Sequence, residues 1–154
     1  MSFFPPSTNH QYRGAKVSVW FLTLSAVLTL IPAAIHSFLP DGGAEVIGGL
    51  DLGDRRELVI GLFRWEGATQ FALGFAVLAV ALRYQALTPL FLALLIVERG
   101  LITLHGWVLG PQGGHHPPAH YASAITVVLA GIFLWLSLRP SGKQPAHDVE
   151  GTKP

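Results

Sequence analysis

Glu98 and Arg99 stand side by side in the middle of a long apolar run, and that run is one of four. The stretch from Ala86 to Leu109 reads ALTPLFLALLIVERGLITLHGWVL. At about 1.5 Å of rise per residue it is long enough to cross a bilayer. A carboxylate or a guanidinium near the midplane costs roughly 2.5–3.5 kcal/mol on insertion scales. Such groups persist where they pair, face other helices or line a wet cavity. The chain therefore reads as a multi-pass membrane protein with a polar interior.

Composition points the same way. Of the 154 residues, 51% are hydrophobic and 12% charged, whereas soluble domains carry about 25% charged residues. The net charge of +1 gives no electrostatic case for nucleic acid. The chain has no cysteine, which excludes disulfides, thiolate catalysis, thiolate-bound zinc and cysteine-ligated iron–sulfur clusters. The length suits one domain.

The spans fall at about 16–39, 58–82, 86–109 and 119–138, giving an all-α, four-transmembrane-helix bundle over residues 16–139. A basic stretch with Arg13 and Lys16 precedes the first span, so a secretory signal peptide is the competing reading there. The apolar stretch exceeds the roughly 7–15 residues of a signal peptide core, which favours an uncleaved helix. Pro32 should kink this helix. Six residues, Arg83 to Thr88, join the second and third spans, so these two are expected to form a tight antiparallel hairpin.

Basic residues set an orientation. With the N-terminus inside, Arg13, Lys16, Arg83, Arg139, Lys143 and Lys153 lie inside, against Arg55 and Arg56 in the outer loop. Both termini are therefore expected in the cytoplasm. Trp20, Tyr84 and Trp135 fall near inner ends, and Trp65, Trp107 and Tyr121 near outer ends, as interfacial aromatic belts would. The loop 40–57 is glycine-rich and acidic, with a short re-entrant or interfacial turn expected around Val46 and Ile47. Residues 1–15 and the tail 140–154 are proline-rich and polar and read as disordered.

Helical spacing puts polar groups on shared stripes. Ser18, Ser25, Thr29, Pro32 and His36 follow one face of the first span. In the second, Glu66, Thr69 and Gln70 cluster, while Gly67, Gly74 and Ala81 make a smooth stripe suited to close helix packing. In the third, His105 follows Glu98 by seven residues and nearly superimposes on it, with Arg99, Thr103 and Gly106 on the adjacent stripe. Counting from the hairpin sets Glu66 and His105 at similar depth, joined by His36. The expected ladder has Glu98 and Arg99 at mid-depth, Gln70 above, then Glu66, His105, His36 and Arg64 near an outer mouth.

Each piece also has a structural reading. Glu98 and Arg99 could lock the bundle, each with a partner on another helix, since adjacency makes a mutual pair awkward. Arg64 and Glu66 lie where long side chains snorkel to the interface. Gln70 and the hydroxyl stripe suit interhelical hydrogen bonds. The loop GGHHPPAH offers His115, His116 and His120 as imidazole ligands for Zn²⁺, Cu²⁺ or Ni²⁺. Their spacing matches no closed structural site, and an exposed loop with incidental histidines is the favoured reading.

The entry Asp54-Arg55-Arg56-Glu57, the glycine-spaced helix FRWEGATQFALGFAVLAVALR and the charged break Glu98-Arg99-Gly100 form a recognisable arrangement. It resembles the small four-helix bacterial membrane proteins grouped with DoxX, over roughly residues 16–139. The resemblance implies a compact four-helix bundle in the bacterial inner membrane. Some members of that group are similar to a quinone-reducing oxidoreductase subunit. No catalytic residue carries across, because no active-site motif matches position by position.

Three functions follow from these readings. In the first, the chain binds a small quinone-like lipophile or handles protons, with Glu98 as the titratable group, Arg99 as its tuner, and His105 and Glu66 as the route outward. In the second, it is a structural or accessory subunit, meeting a membrane protein partner or a second copy of itself. In the third, His36 and His105 are axial ligands of a haem.

Overall fold

A computed structural model of the chain describes residues 3–110 and 116–140. Four helices, each lengthened where a short turn adjoins it, are long and apolar enough to cross a membrane. Helix α1 is Lys16–Phe38, α2 is Arg56–Arg83, α3 is Thr88–Leu104 and α4 is Pro118–Leu138. No strand occurs among the described residues. Each expected span is present, with ends within a few residues of those read from hydropathy.

Local chemistry explains the boundaries. Pro89 and Pro118 sit in the first turns of α3 and α4, where a missing N–H leaves no bond unmade. Glu57 opens α2 and Arg83 closes it, each complementing the helix dipole at its end. Helix α1 continues through Pro32. Helix α3 ends differently: its last turn widens into a π-helical turn, His105–Leu109. Such wide turns redirect the side chains that follow them.

The helices pack as two antiparallel pairs, α1 with α2 and α3 with α4. The expected α2–α3 hairpin is corrected here. A single 3-10 turn, Gln85–Leu87, joins these helices, yet they touch only sparsely. The smooth stripe of α2 explains the preference. A Cβ at Gly67 would lie 3.0 Å from the Ala33 carbonyl oxygen, and one at Gly74 would lie 2.7 Å from Leu30 Cδ2. Both glycines therefore let α1 approach α2 more closely than α3 does. The two pairs meet along α1. Phe21 stacks on Phe133 of α4 at 4.4 Å, and the Ser18 hydroxyl donates to the Phe133 carbonyl at 2.8 Å. Leu22, Ala26, Val77, Val80, Ala81 and Leu92 fill the core, with Tyr12 at its edge. The outward faces are largely apolar, with Trp20, Leu28, Leu58, Val97 and Ile125 all exposed.

The end of the molecule that holds Lys16 is tied by the N-terminal arm. Residues 3–15, expected to be disordered, make specific bonds instead. The Thr8 amide and the Ser7 hydroxyl both donate to the Arg83 carbonyl, at 3.0 Å each. The Asn9 side chain donates to the Leu82 carbonyl at 2.8 Å and accepts from the Gln85 amide at 3.2 Å. Helix C-termini leave carbonyls without partners, and the arm supplies donors to those of α2. Burial pushes the Tyr12 phenol up from its ordinary range. The expected disorder of the tail from Pro140 concerns residues that, apart from Pro140, lie outside those described.

At the opposite end, the loop between α1 and α2 folds around one carboxylate. Asp41 accepts the backbone amides of Gly43, Glu45 and Val46 at 2.9–3.0 Å. Gly42 and Gly43 adopt φ of 64° and 79°, which a side chain would strain. Ala44, Leu52 and Ile60 form a small second core beneath. Arg56 and Glu45 pair at 2.7 Å across the loop. Val46 and Ile47 are exposed on this compact turn.

Candidate functional site

Two clusters of polar groups emerge, one at mid-depth and one at the far end of α3 and α4. The first is built on Glu98 and Arg99. Arg99 Nε lies 3.7 Å from Glu98 Oε2, so the neighbours pair with each other. This departs from the expectation that each would find a partner only on another helix. The terminal nitrogen of Arg99 also donates to Thr29 Oγ1 on α1 at 3.3 Å. The Arg99 side chain is 16% exposed and that of Glu98 29%.

A cleft of about 40 Å³ opens beside this pair. Leu22, Ser25 and Thr29 of α1 form one wall, Leu73 and Val77 of α2 the second, and Phe91, Leu94, Leu95 and Glu98 of α3 the third. Its lining is apolar apart from Ser25, Thr29 and Glu98. The Ser25 hydroxyl donates to the Phe21 carbonyl within α1. The enclosed space suits a few waters or a small polar head, since a water needs roughly 10–15 Å³ of such volume. Drug-sized ligands fill pockets of about 300–1,000 Å³, and haem is larger than anything this cleft encloses. Sparse contact between α2 and α3 leaves that side of the cleft thin.

The expected ladder from Glu98 to an outer mouth is broken. Gln70 donates to Glu66 at 2.9 Å on a face of α2 where Glu66 is exposed. Its amide oxygen, Gln70 Oε1, is buried without a hydrogen-bond partner. His36 is occupied by its own loop: Nδ1 lies 2.7 Å from the Gly42 carbonyl oxygen, and its ring meets Phe63 edge-on at 5.0 Å. It therefore caps the Asp41 turn. His105 and Arg64 are exposed. None of these bonds joins Glu66, Gln70, His36, His105 or Arg64 to the Glu98–Arg99 pair.

The second cluster gathers imidazoles and aromatic rings. His116 and His120 bring their Nδ1 atoms to 3.3 Å. Trp107, carried on the π-helical turn, stacks on His116 with centroids 4.3 Å apart and planes 11° apart. Its indole N–H donates to the His120 carbonyl at 3.4 Å, and Tyr121 meets it edge-on at 5.1 Å. Gly106 makes the approach possible, because a Cβ there would lie 2.8 Å from the His120 ring. The expectation of incidental loop histidines is thus corrected for His116 and His120; His115 lies outside the described residues. No group of three or more His, Cys, Asp or Glu able to hold a metal occurs among the described residues.

Sequence spacing alone missed Trp107 as the organiser of this corner and Asp41 as the hub of the first loop. Asp41 had a signal, since Asp-Gly-Gly is an Asx-turn pattern. Trp107 had none beyond its place near a helix end. Comparison with protein-family models, with curated proteins and with solved structures gives no match for this chain.

Proposed function

We propose that this chain is a multi-pass cell-membrane protein that holds the polar end of a small lipophile between α1, α2 and α3. The single observation that carries this reading is the cleft itself. Apolar walls from Leu73, Val77, Phe91 and Leu94 lead to one polar end at Glu98, Ser25 and Thr29, with Arg99 beside it. An amphipathic molecule with a compact polar head, quinone-like in shape, matches that gradient. Its tail would pass between α2 and α3 into the bilayer, where those helices touch least. Protons taken up or released by such a head would meet Glu98 first. The broken ladder argues against His105 and Glu66 as a route outward, and a cleft of about 40 Å³ is far too small to hold a haem.

Orientation belongs to the same proposal. Arg13, Lys16, Arg83 and Arg139 gather at one end of the bundle and Arg55 and Arg56 at the other, which supports both termini inside. We also retain the DoxX-like assignment as a proposal; it rests on the glycine-spaced α2 and the charged break in α3, and the cleft stands without it.

One observation favours a second reading. Arg99 bonds Thr29 across the seam between helix pairs, so the charged pair also serves as a packing lock for an accessory subunit. Native mass spectrometry of the protein released from mild detergent, with an absorption scan of the same sample, separates the two. The lipophile reading expects a retained small mass in the wild type and its loss in a Glu98→Gln variant that remains folded in the same detergent. A bare chain, or one that carries only a second polypeptide, transfers the weight to the accessory reading.

A further inference from the structure

We propose that His116 and His120 form a surface site for a divalent transition-metal cation of the Zn²⁺, Cu²⁺ or Ni²⁺ class, at the junction of α3 and α4. The site lies apart from the Glu98 cleft and does not depend on what occupies it.

The argument begins with distance. Zinc binds imidazole nitrogen at about 2.0–2.1 Å and prefers tetrahedral geometry. Two nitrogens on one such ion are therefore separated by about 3.3–3.4 Å, from the bond length and the tetrahedral angle. The Nδ1 atoms of His116 and His120 are 3.3 Å apart. That is also the length of a long N–H···N hydrogen bond, which is how the pair is held without a cation. A cation takes the place of the shared proton, with each ring in the tautomer that carries its hydrogen on Nε2.

The backbone fixes this separation. His116 and His120 are four residues apart, with His116 just ahead of α4 and His120 in its first turn. The Pro117 carbonyl accepts the His120 amide at 3.0 Å, so the two prolines set the turn that brings the rings together. The rings are then held from the α3 side. Trp107 stacks flat on His116, and Gly106 leaves the space that the His120 ring fills. Ligands held in place before binding lose less entropy when the ion arrives. Borderline imidazole sites of this kind select the later divalent transition metals over Mg²⁺ or Ca²⁺, which prefer oxygen. Water or a ligand from outside completes the coordination.

The geometry also supplies a reporter. A Cu²⁺ ion on His116 and His120 sits next to the Trp107 ring and quenches its emission, while Trp20, Trp65 and Trp135 lie on other helices or at other heights. The test uses the untagged full-length protein in detergent, titrated with ZnCl₂ by calorimetry and with CuCl₂ by tryptophan fluorescence. One Zn²⁺ per chain is expected. His116→Gln and His120→Gln should each weaken binding by at least about tenfold, in the range that disturbed metal sites show, and His10→Gln should not change it. Trp107→Phe keeps a ring against His116, so it should weaken Zn²⁺ binding less than either histidine variant, and it should remove the Cu²⁺-quenched component. Unchanged Zn²⁺ affinity in the folded double variant His116→Gln/His120→Gln would overturn the site. So would a wild-type chain that takes up no stoichiometric Zn²⁺, or Cu²⁺ quenching that survives in Trp107→Phe. The last two arms leave both histidines intact, so they decide the matter even if a histidine variant fails to fold.

Discussion

Arg99 of α3 donates to the hydroxyl of Thr29 on α1 at 3.3 Å while its Nε stays within 3.7 Å of Glu98. One side chain thus satisfies a charge on its own helix and crosses the seam between the two helix pairs. That double role has a measurable consequence. Arg99→Met leaves the Glu98 carboxylate half-buried without its cation, which should lower stability by about 3 kcal/mol. Adding Glu98→Gln removes the stranded charge and should restore most of the loss. Thermal unfolding of the three proteins in the same detergent provides the comparison; a double variant as unstable as Arg99→Met would contradict it.

The packing of α2 on α1 depends on Gly67. A Cβ there would meet the Ser37 hydroxyl oxygen at 2.6 Å and the Ala33 carbonyl oxygen at 3.0 Å, and backbone does not move aside cheaply. Gly67→Val should cost about 1–3 kcal/mol, in the range of overpacked cores. Gly61, on the same helix, has nothing near its missing Cβ. Gly61→Ala should be neutral or stabilising by up to about 1 kcal/mol through helix propensity. Equal melting temperatures for the two variants would show that the stripe does not govern the contact.

The loop carboxylate predicts a pH dependence. Amides of Val46 and Gly43 hold the Asp41 carboxyl below its ordinary range. A group depressed in the folded state stabilises it above the ordinary carboxylate range, and that contribution is lost as pH falls through the folded value. Protection of the amides of 43–46 against hydrogen exchange, taken relative to the intrinsic rate at each pH, should therefore fall on acidification. Asp41→Asn should exchange faster at neutral pH and lose most of that pH dependence. A variant with wild-type exchange at every pH would remove Asp41 from its role as hub.

Orientation is testable because the chain has no cysteine of its own. A single cysteine at position 53, in the loop between α1 and α2, should react with an impermeant maleimide in intact cells. One at position 152 should react only after the cells are opened. The reverse pattern would invert the assignment of both termini to the inside.

The four spans were legible in the sequence because apolar length is a one-dimensional property, and a bilayer imposes it on any helix that crosses. The glycine stripe was legible too, since seven-residue spacing keeps residues on one face. Which helix a face meets was not. A six-residue connection brings α2 and α3 into succession, but the small residues of α2 at 67 and 74 decide the contact in favour of α1. Arg99 illustrates the same limit: helical angle describes where a side chain leaves the backbone, and a guanidinium on three methylenes can return to its neighbour. His36 was expected to face inward with the polar stripe, yet the Gly42 carbonyl, set by the Asp41 turn, claims its ring nitrogen. The meeting of Trp107 with His116 needed the π-helical turn, which shifts register by one residue and leaves no mark in hydropathy.

The α1–α3 seam also bears on synthesis. On the multi-pass reading proposed above, a ribosome delivers α1 to the membrane well before α3, so Thr29 and Ser25 are in place when Glu98 and Arg99 arrive. The charged turn of α3 thus enters a bilayer that already holds its hydrogen-bonding partner, and chain order itself eases the passage of two charges that lipid alone would resist. Moving α3 ahead of α1 by circular permutation would present the same residues to bare lipid, and its insertion would have to proceed without that help.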